Sequence, residues 1–309
     1  MLKVSRFRGE INRRFEQPQS PHRHTCVDAM APTASRSTPR SILIINPNST
    51  ELMTRALESV VKAMGYPDTL HTFFTGPPNS PSSINDLPTI TASASACLPH
   101  LRPLLPTHSA FLVACYSPHP LVPQLKSDPL LLSSSPSAPK PVVGIMEASV
   151  SAALLTLAPG ERFGIVSTGK AWETLLGRGV REFLGTCPTA EDDEQPKGEE
   201  DDDNHATIDG ETEDARFAGV TTTGLHATEL HTTPRDVVES RVKEAVKKLL
   251  ARGRVAAVCL GCAGMAGMDA WVREACVEAL GEEQGGRVRI VDGVKAAVAA
   301  IEGALRMGV

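Results

Sequence analysis

Aromatic residues make up only 4% of this 309-residue chain, and no apolar run approaches the ~18–20 consecutive residues that a membrane span needs. That lack excludes a helical bilayer protein. Cysteines are few and irregularly spaced: Cys26, Cys97, Cys115, Cys187, Cys259, Cys262 and Cys276. An odd number without a hydrophobic leader ahead of it does not form a disulfide framework, and a reduced compartment, the cytoplasm, is expected. A secreted mini-scaffold, a collagen-like chain and a wholly disordered one are excluded with it. What is present is enough length to bury a sizeable core, as one large domain or two modest ones.

The formal net charge of −5 is an average over unlike segments. Between Glu191 and Asp214 stand thirteen acids against one lysine, whereas residues 1–40 carry eight bases and three acids. The remainder is close to neutral, so neither a nucleic-acid-binding face nor a general acidic surface is indicated. The acidic stretch, nearly free of large apolar residues, is expected as a solvated insertion over 188–215. Residues 1–40, rich in Arg, Ser and Pro, read as a disordered basic tail with Met30 as an alternative start. A mitochondrial presequence is the sharper reading of that tail, and Glu10 and Glu16 in its amphipathic stretch oppose it. The Pro- and Ser-rich stretch Ser127–Pro141 is expected as a long loop.

Strand and helix signals alternate through the rest. Apolar runs at Ile42–Ile45, Ala110–Ala114, Val142–Ile145, Phe163–Val166, Val255–Leu260 and Val288–Val291 read as strands. Helical periodicity marks Glu51–Lys62, Ala148–Leu157, Ala171–Leu184, Val237–Leu250, Asp269–Leu280 and Val294–Leu305. Short, fully apolar strands between helices imply an α/β fold with parallel sheet covered on both faces. A faint duplication runs through it: Ile42–Thr50 and Phe163–Lys170 share a plan of strand, hydroxyl-bearing turn and helix. Asn46 and Cys115 lie 69 positions apart, Ser167 and Cys262 95, or 71 without the 24-residue acidic segment. Two related α/β halves facing each other across a cleft would give that spacing.

Cys115 and Cys262 each follow an apolar strand and precede a turn or helix. A thiol at a helix N-terminus meets unpaired N–H groups that lower its pKa, so both are candidate reactive cysteines; a small buried hydrophobe is the commoner fate of either taken singly, and the matched context of the pair favours reactivity. Cys259-x-x-Cys262 does not suit a thioredoxin-like pair, because Cys259 falls inside the strand. A zinc site would need two further ligands beside the cysteines, for which His226 and His231 are the only candidates, and it is not favoured.

Five segments in order resemble the hydantoin racemase branch of the Asp/Glu racemase superfamily: Asn46-Pro47-Asn48-Ser49-Thr50, Ala114-Cys115-Tyr116-Ser117, Gly144-Ile145-Met146-Glu147-Ala148, Phe163 to Gly169, and Leu260-Gly261-Cys262-Ala263-Gly264-Met265. The resemblance implies two pseudo-symmetric parallel-sheet α/β domains with the active site in the cleft between them. The first would comprise 41–125 and the returning segment 285–309, the second 142–284. It implies a racemase that needs no cofactor and no metal, with Cys115 and Cys262 on opposite sides of a small-molecule substrate, in a homo-oligomer.

Racemisation takes a proton from one face of a carbon and returns one to the other, which is why two opposed acid/base groups are required. Asn46, Asn48, Ser49, Thr50, Ser167, Thr168 and Gly169 form the two turns expected to hold the substrate, with Ser117, Ala263 and Gly264 adding donors. Helix capping is the plain alternative for Ser49 and Thr168. Glu147 would orient a ligand or cap its helix. His119 stands where bacterial relatives commonly carry an acidic residue, as in fungal members; it either alters what the cleft accepts or, as expected here, lies on the surface in its Pro-rich turn. Met265 and Met268 are expected to pack. A sister reaction, decarboxylation of malonate-type acids, uses one such cysteine, and a non-catalytic metabolite-binding protein on the same scaffold is the rival from another class.

Overall fold

The computed structural model describes residues 40–133, 139–186 and 216–308; the basic tail and the acidic segment lie outside the described residues. The first half runs through β1 (Arg40–Asn46), α1 (Glu51–Ala63), β2 (Thr69–Thr75), α2 (Leu87–Leu101), β3 (Ala110–Val113), the short α3 (Leu121–Lys126) and α4 (Pro129–Leu132), and β4 (Val142–Gly144). Then come α5 (Ile145–Thr156), β5 (Arg162–Ser167), α6 (Ala171–Leu184), β6 (Phe217–Thr222), the single turn α7 (Glu229–Thr232) and α8 (Arg235–Leu250). The chain ends with β7 (Val255–Leu260), α9 (Asp269–Arg287), β8 (Arg289–Asp292) and α10 (Gly293–Met307).

Two four-stranded sheets result, ordered β2-β1-β3-β4 and β6-β5-β7-β8, with every neighbouring pair parallel. The central strands are buried on both faces, as their unbroken apolar sequences require. The two orders are identical, so the duplication read from spacing is a duplication of topology. In each sheet the chain leaves the first strand to one side and returns on the other. That reversal opens a crevice at the carboxyl ends of β1 and β3, and again at β5 and β7.

The halves are locked by an exchange of helices. α5 follows β4 of the first sheet but packs on β7 and β8 of the second; α10 follows β8 but packs on α1 and β3 of the first. The two helices also pack on each other, and their N-termini meet closely. A Cβ on Gly293 would stand 2.9 Å from the Ile145 carbonyl oxygen and 3.2 Å from the Tyr116 ring, so only glycine fits. One apolar core runs through both halves, from Ile42, Ile44 and Leu112 to Phe163, Ile165 and Ala257.

Besides the short helices α3, α4 and α7, three elements were not legible in the sequence. β2 is a half-exposed edge strand with mixed polarity, and β6 contains Gly219 and emerges directly from the undescribed segment. α2 is built largely of small and hydroxyl residues with Pro88 and Pro99 near its ends, leaving no amphipathic period; its start is fixed by the Asp86–Thr89 capping box. Within the expected loop Ser127–Pro141, Pro129–Leu132 forms a helical turn capped by Asp128, and residues 134–138 are outside the described ones. The return to the first half also comes later than position 285. Residues 285–287 finish α9 and 289–292 pair with β7 in the second sheet, so the crossing is made at Asp292–Gly293.

α10 is held on the first half by a buried carboxylate. Glu302, 1% exposed, accepts from the Thr69 hydroxyl at 3.0 Å and faces His71 Nε2 at 3.4 Å, both on β2, with Arg306 on its other side. Replacing Glu302 by Ala leaves those partners facing a void. The E302A variant is expected to lose about 2–4 kcal/mol of unfolding free energy, read as a lower urea midpoint at unchanged slope.

Candidate active site

The ends of the two central strand pairs are superimposable in their hydrogen bonding. Ala114 N–H donates to Ile45 O at 2.8 Å, and Gly261 N–H donates to Val166 O at 2.7 Å. Gly76 N–H reaches Asn46 O at 2.9 Å, and Thr223 N–H reaches Ser167 O at 3.0 Å. Asn46 therefore corresponds to Ser167, and Cys115 to Cys262. Each thiol sits one residue past a strand-end bond at the crevice of its sheet. Gly261 permits the approach: a Cβ there would lie 2.8 Å from Val166 O and 2.9 Å from Ser167 Cβ.

Both cysteines line one cleft, with Asn46, Asn48, Met53, Leu57, Ser83, Ile84, Ala114 and Tyr116 from the first half and Thr168, Trp172, Ala227, Gly261, Ala263 and Gly264 from the second. The cleft encloses a cavity of about 50 Å³ and opens to solvent. Among the described residues, every side chain of the lining is uncharged or a thiol.

Polar groups in the cleft differ in how far the fold commits them. Asn46 Nδ2 is used up on Asn48 Oδ1, Thr50 O and Thr54 Oγ1 at 3.0–3.2 Å, so this amide braces the turn. Asn48 Oδ1 accepts the Thr50 N–H at 2.9 Å, but its Nδ2 meets only the thioether of Met53 at 3.1 Å, a weak acceptor. On the opposite wall the Thr168 carbonyl accepts the Gly224 N–H at 3.0 Å, while its hydroxyl makes no hydrogen bond among the described residues. Asn48 and Thr168 thus offer one donor from each half.

Other expected site residues stand behind the cleft. The Ser49 and Thr50 hydroxyls donate to Ser80 O and Ser82 O, pinning the loop that carries Ser83 and Ile84, and neither side chain caps α1. Ser167 donates to Gly261 O at 2.7 Å and so fixes the residue before Cys262. Ser117 supports Cys115 at 3.3 Å. Gly169 lies under the His226 ring, outside the lining. Glu147 folds back over Gly144 at the start of α5, where one carboxylate oxygen is buried without a partner and burial raises its pKa. Cys259 is packed in β7 with its sulfur 3.7 Å from Ser149 O. Met265 and Met268 are buried.

Sequence reasoning missed Met53, Leu57, Ile84, Trp172 and Ala227, apolar residues that look like any other core. The one available signal was the i, i+4 pair Met53–Leu57 on the turn-proximal face of α1.

Two expectations are overturned. His119 is not a surface residue: it is 1% exposed, and burial lowers its pKa to about 4, so the ring is neutral. Nor does a helix end lower the thiol pKa values. Five residues of turn separate Cys115 from α3, and Cys262 caps only a three-residue 3₁₀ turn. Burial pushes Cys115 up to about 12, further raised by the neighbouring Cys262 and Glu147 and partly offset by Ser117. Burial pushes Cys262 to about 11, held lower by the backbone N–H groups of Gly264, 3.4 Å from the sulfur, and Met265.

Residues 42–216 and 211–301 match the family model of Asp/Glu/hydantoin racemases. The chain belongs to the Asp/Glu/hydantoin racemase family. A Schizosaccharomyces pombe protein, "Uncharacterized protein C1F7.10", is 32% identical over 86% of this chain and 92% of its own length. "Protein DCG1" of Saccharomyces cerevisiae is 28% identical over 74% and 84%. Among solved structures, the racemase fold is shared with allantoin racemase from Pseudomonas fluorescens, at TM-score 0.65 and 21% identity over 87% of this chain and 92% of that one. Allantoin racemase from Klebsiella pneumoniae gives 0.60 and 23% over 87% and 89%.

Because both thiols are raised, alkylation by iodoacetamide is expected to be slow at pH 7 and to climb about tenfold per pH unit toward pH 11. Cys262 should react before Cys115, as mapped by peptide mass. A plateau near pH 8 would contradict the buried setting of the pair.

Proposed function

We propose that this protein is a cofactor-independent isomerase that inverts the carbon α to a carbonyl in a 5-substituted hydantoin, allantoin or related uncharged ureide, with Cys115 and Cys262 as its two acid/base groups. The observation that carries this reading is the pair of thiols at equivalent strand ends of two topologically identical halves, on one cleft. The uncharged lining favours a neutral ring over a free amino acid, whose charged ends would be desolvated there without counter-charges. Two of the structural neighbours are named allantoin racemases, which points the same way, whereas a less similar one is a glutamate racemase.

In this mechanism one sulfur is a thiolate and the other a thiol. The thiolate takes the α-proton, the electron pair moves into the adjacent carbonyl as an enolate, and the opposite thiol delivers its proton to the other face. The enzyme ends with the roles exchanged, ready for the mirror-image substrate. We assign the resting thiolate to Cys262, because the Gly264 N–H stabilises charge on its sulfur and Cys115 has only the Ser117 hydroxyl. Asn48 Nδ2 and the Thr168 hydroxyl are the groups free to meet the developing oxyanion. Reduced, unpaired thiols suit the cytoplasm, and no helix among the described residues is long and apolar enough to cross a membrane. Exposed Leu52, Leu155 and Met307 are consistent with a homo-oligomer.

Incubation of single enantiomers of 5-substituted hydantoins and allantoin in heavy water tests the proposal. Deuterium should enter the α-position as optical rotation decays. Cys115→Ser and Cys262→Ser should each lower inversion by about 10²–10⁴-fold. Tight binding without exchange would make the protein a metabolite binder, and carbon dioxide release from malonate-type acids would make it a decarboxylase.

A further inference from the structure

The buried histidine has no part in the proton transfers above, yet it sits four residues past Cys115 on the same turn. We propose that His119 is a positioning residue: through Ser93 of α2 its ring ties the turn that carries Cys115 to the Asn46-Pro47-Asn48 turn, and so sets the thiol against the Asn48 amide. The direction of every bond in this link is determined. Leu121 N–H points at Nδ1 at 3.3 Å, so Nδ1 is the acceptor and Nε2 carries the proton. Nε2 faces Ser93 Oγ at 3.4 Å, and Ser93 spends its one hydroxyl proton on the Pro47 carbonyl at 2.6 Å. The run is therefore His119 to Ser93 to Pro47, each donating to the next.

Pro47 has no N–H, so its carbonyl is the only polar backbone handle at the centre of the turn. Two donors hold it, Ser93 Oγ and Cys97 Sγ at 3.4 Å, and both come from α2. On either side of Pro47 stand Asn46, which braces the turn, and Asn48, whose amide faces the cleft. On the other arm, the turn closes on itself through Ser117 N–H to Cys115 O at 3.0 Å and His119 N–H to Ser117 O at 2.8 Å. A shift of the imidazole is thereby transmitted to Cys115 on one side and to Pro47 on the other. The ring is not part of the cleft lining, so its role is one of placement.

The kinetic arm of the test rests on the isomerase reading; the labelling arm does not. His119→Gln keeps a donor near the Nε2 position, His119→Phe keeps the volume without the polarity, and Ser93→Ala cuts the link at its middle. With the racemised substrate, H119F and S93A are each expected to lose about 10–100-fold in kcat with KM changed less than about threefold, the cost of a misplaced reacting group. The double variant should be no worse than the poorer single one, since both cut one link, and H119Q should keep at least about a third of kcat. In the resting protein, the ratio of Cys115 to Cys262 labelling by a maleimide should change at least about threefold in H119F and S93A and hold in H119Q. Wild-type kcat in H119F, effects that multiply in the double variant, or an unchanged labelling ratio would each overturn the proposal. Should H119F fail to fold, S93A carries both arms. Absent isomerase activity in the wild type with an altered labelling ratio would sink the functional reading and leave the positioning role standing.

Discussion

The cleft depends on one backbone hydrogen bond made twice, Ala114 N–H to Ile45 O and Gly261 N–H to Val166 O. Each extends a parallel ladder one step beyond the last paired residues, Val113 against Ile45 and Leu260 against Val166. The next residue on each chain is a cysteine with no ladder partner, released at the crevice that the strand order opens. Parallel pairing fixes its height, because the register of a strand buried on both faces cannot slip without exposing a full set of apolar side chains. The chemistry-bearing atoms are thus placed by main-chain geometry, and side chains such as Ser117 and Ser167 refine a position already set.

Two crevices make one cleft only if the halves hold still relative to each other. The exchange of α5 and α10 does this: each half covers the other's sheet with its own helix, so separation would open both at once. Tyr116 joins this lock directly to the site. Its ring lines the cleft beside Cys115, its hydroxyl meets Ser149 of α5 at 2.6 Å, and its flank packs where Gly293 begins α10. A buried aromatic with its polar tip satisfied is a stiff connector. Glu302 fixes the far end of α10, so the helix is held at both ends and its packing cannot drift.

The sequence was most readable where the chain needs unusual residues. Asn46-Pro47-Asn48 and Gly261 mark strand ends because only those residues satisfy the turn or tolerate the close approach, and both thiols were found beside them. Long buried strands were likewise legible from composition. The walls were not. Trp172, Met53 and Ile84 line the cleft with side chains whose apolar character is the same in a core, and only the tertiary arrangement decides which way they face. α2 was missed for a related reason, since a helix of small residues packed on a turn has no polar face to declare itself. The thiol pKa values were misjudged in sign because spacing shows a strand followed by a helix but not the length of turn between, nor how far the thiols are desolvated. His119 was misplaced because a histidine between two prolines reads as surface, and Ser93, the side chain its ring meets, stands 26 positions earlier.

Desolvation of the thiols works both for and against the proposed chemistry. Burial that lifts Cys262 to about 11 makes its thiolate scarce in the empty site, by roughly four powers of ten at pH 7. The same burial makes that thiolate a stronger base, and a carbon-bound proton demands one, since transfer is easiest between groups of matched pKa. A second consequence concerns the partner thiol. With Cys115 higher still, and raised further by the neighbouring Cys262, the cleft resists a second negative charge. Two thiolates are opposed by mutual repulsion, and a substrate that brought its own anion would compete with the one that is needed. An uncharged ring whose α-carbanion drains into a carbonyl adds no net charge to the site; the charge merely passes from one sulfur, through the ring, to the other. The uncharged walls, the raised thiols and a neutral substrate are therefore one electrostatic arrangement, in which a single charge moves across a cleft built to carry only one.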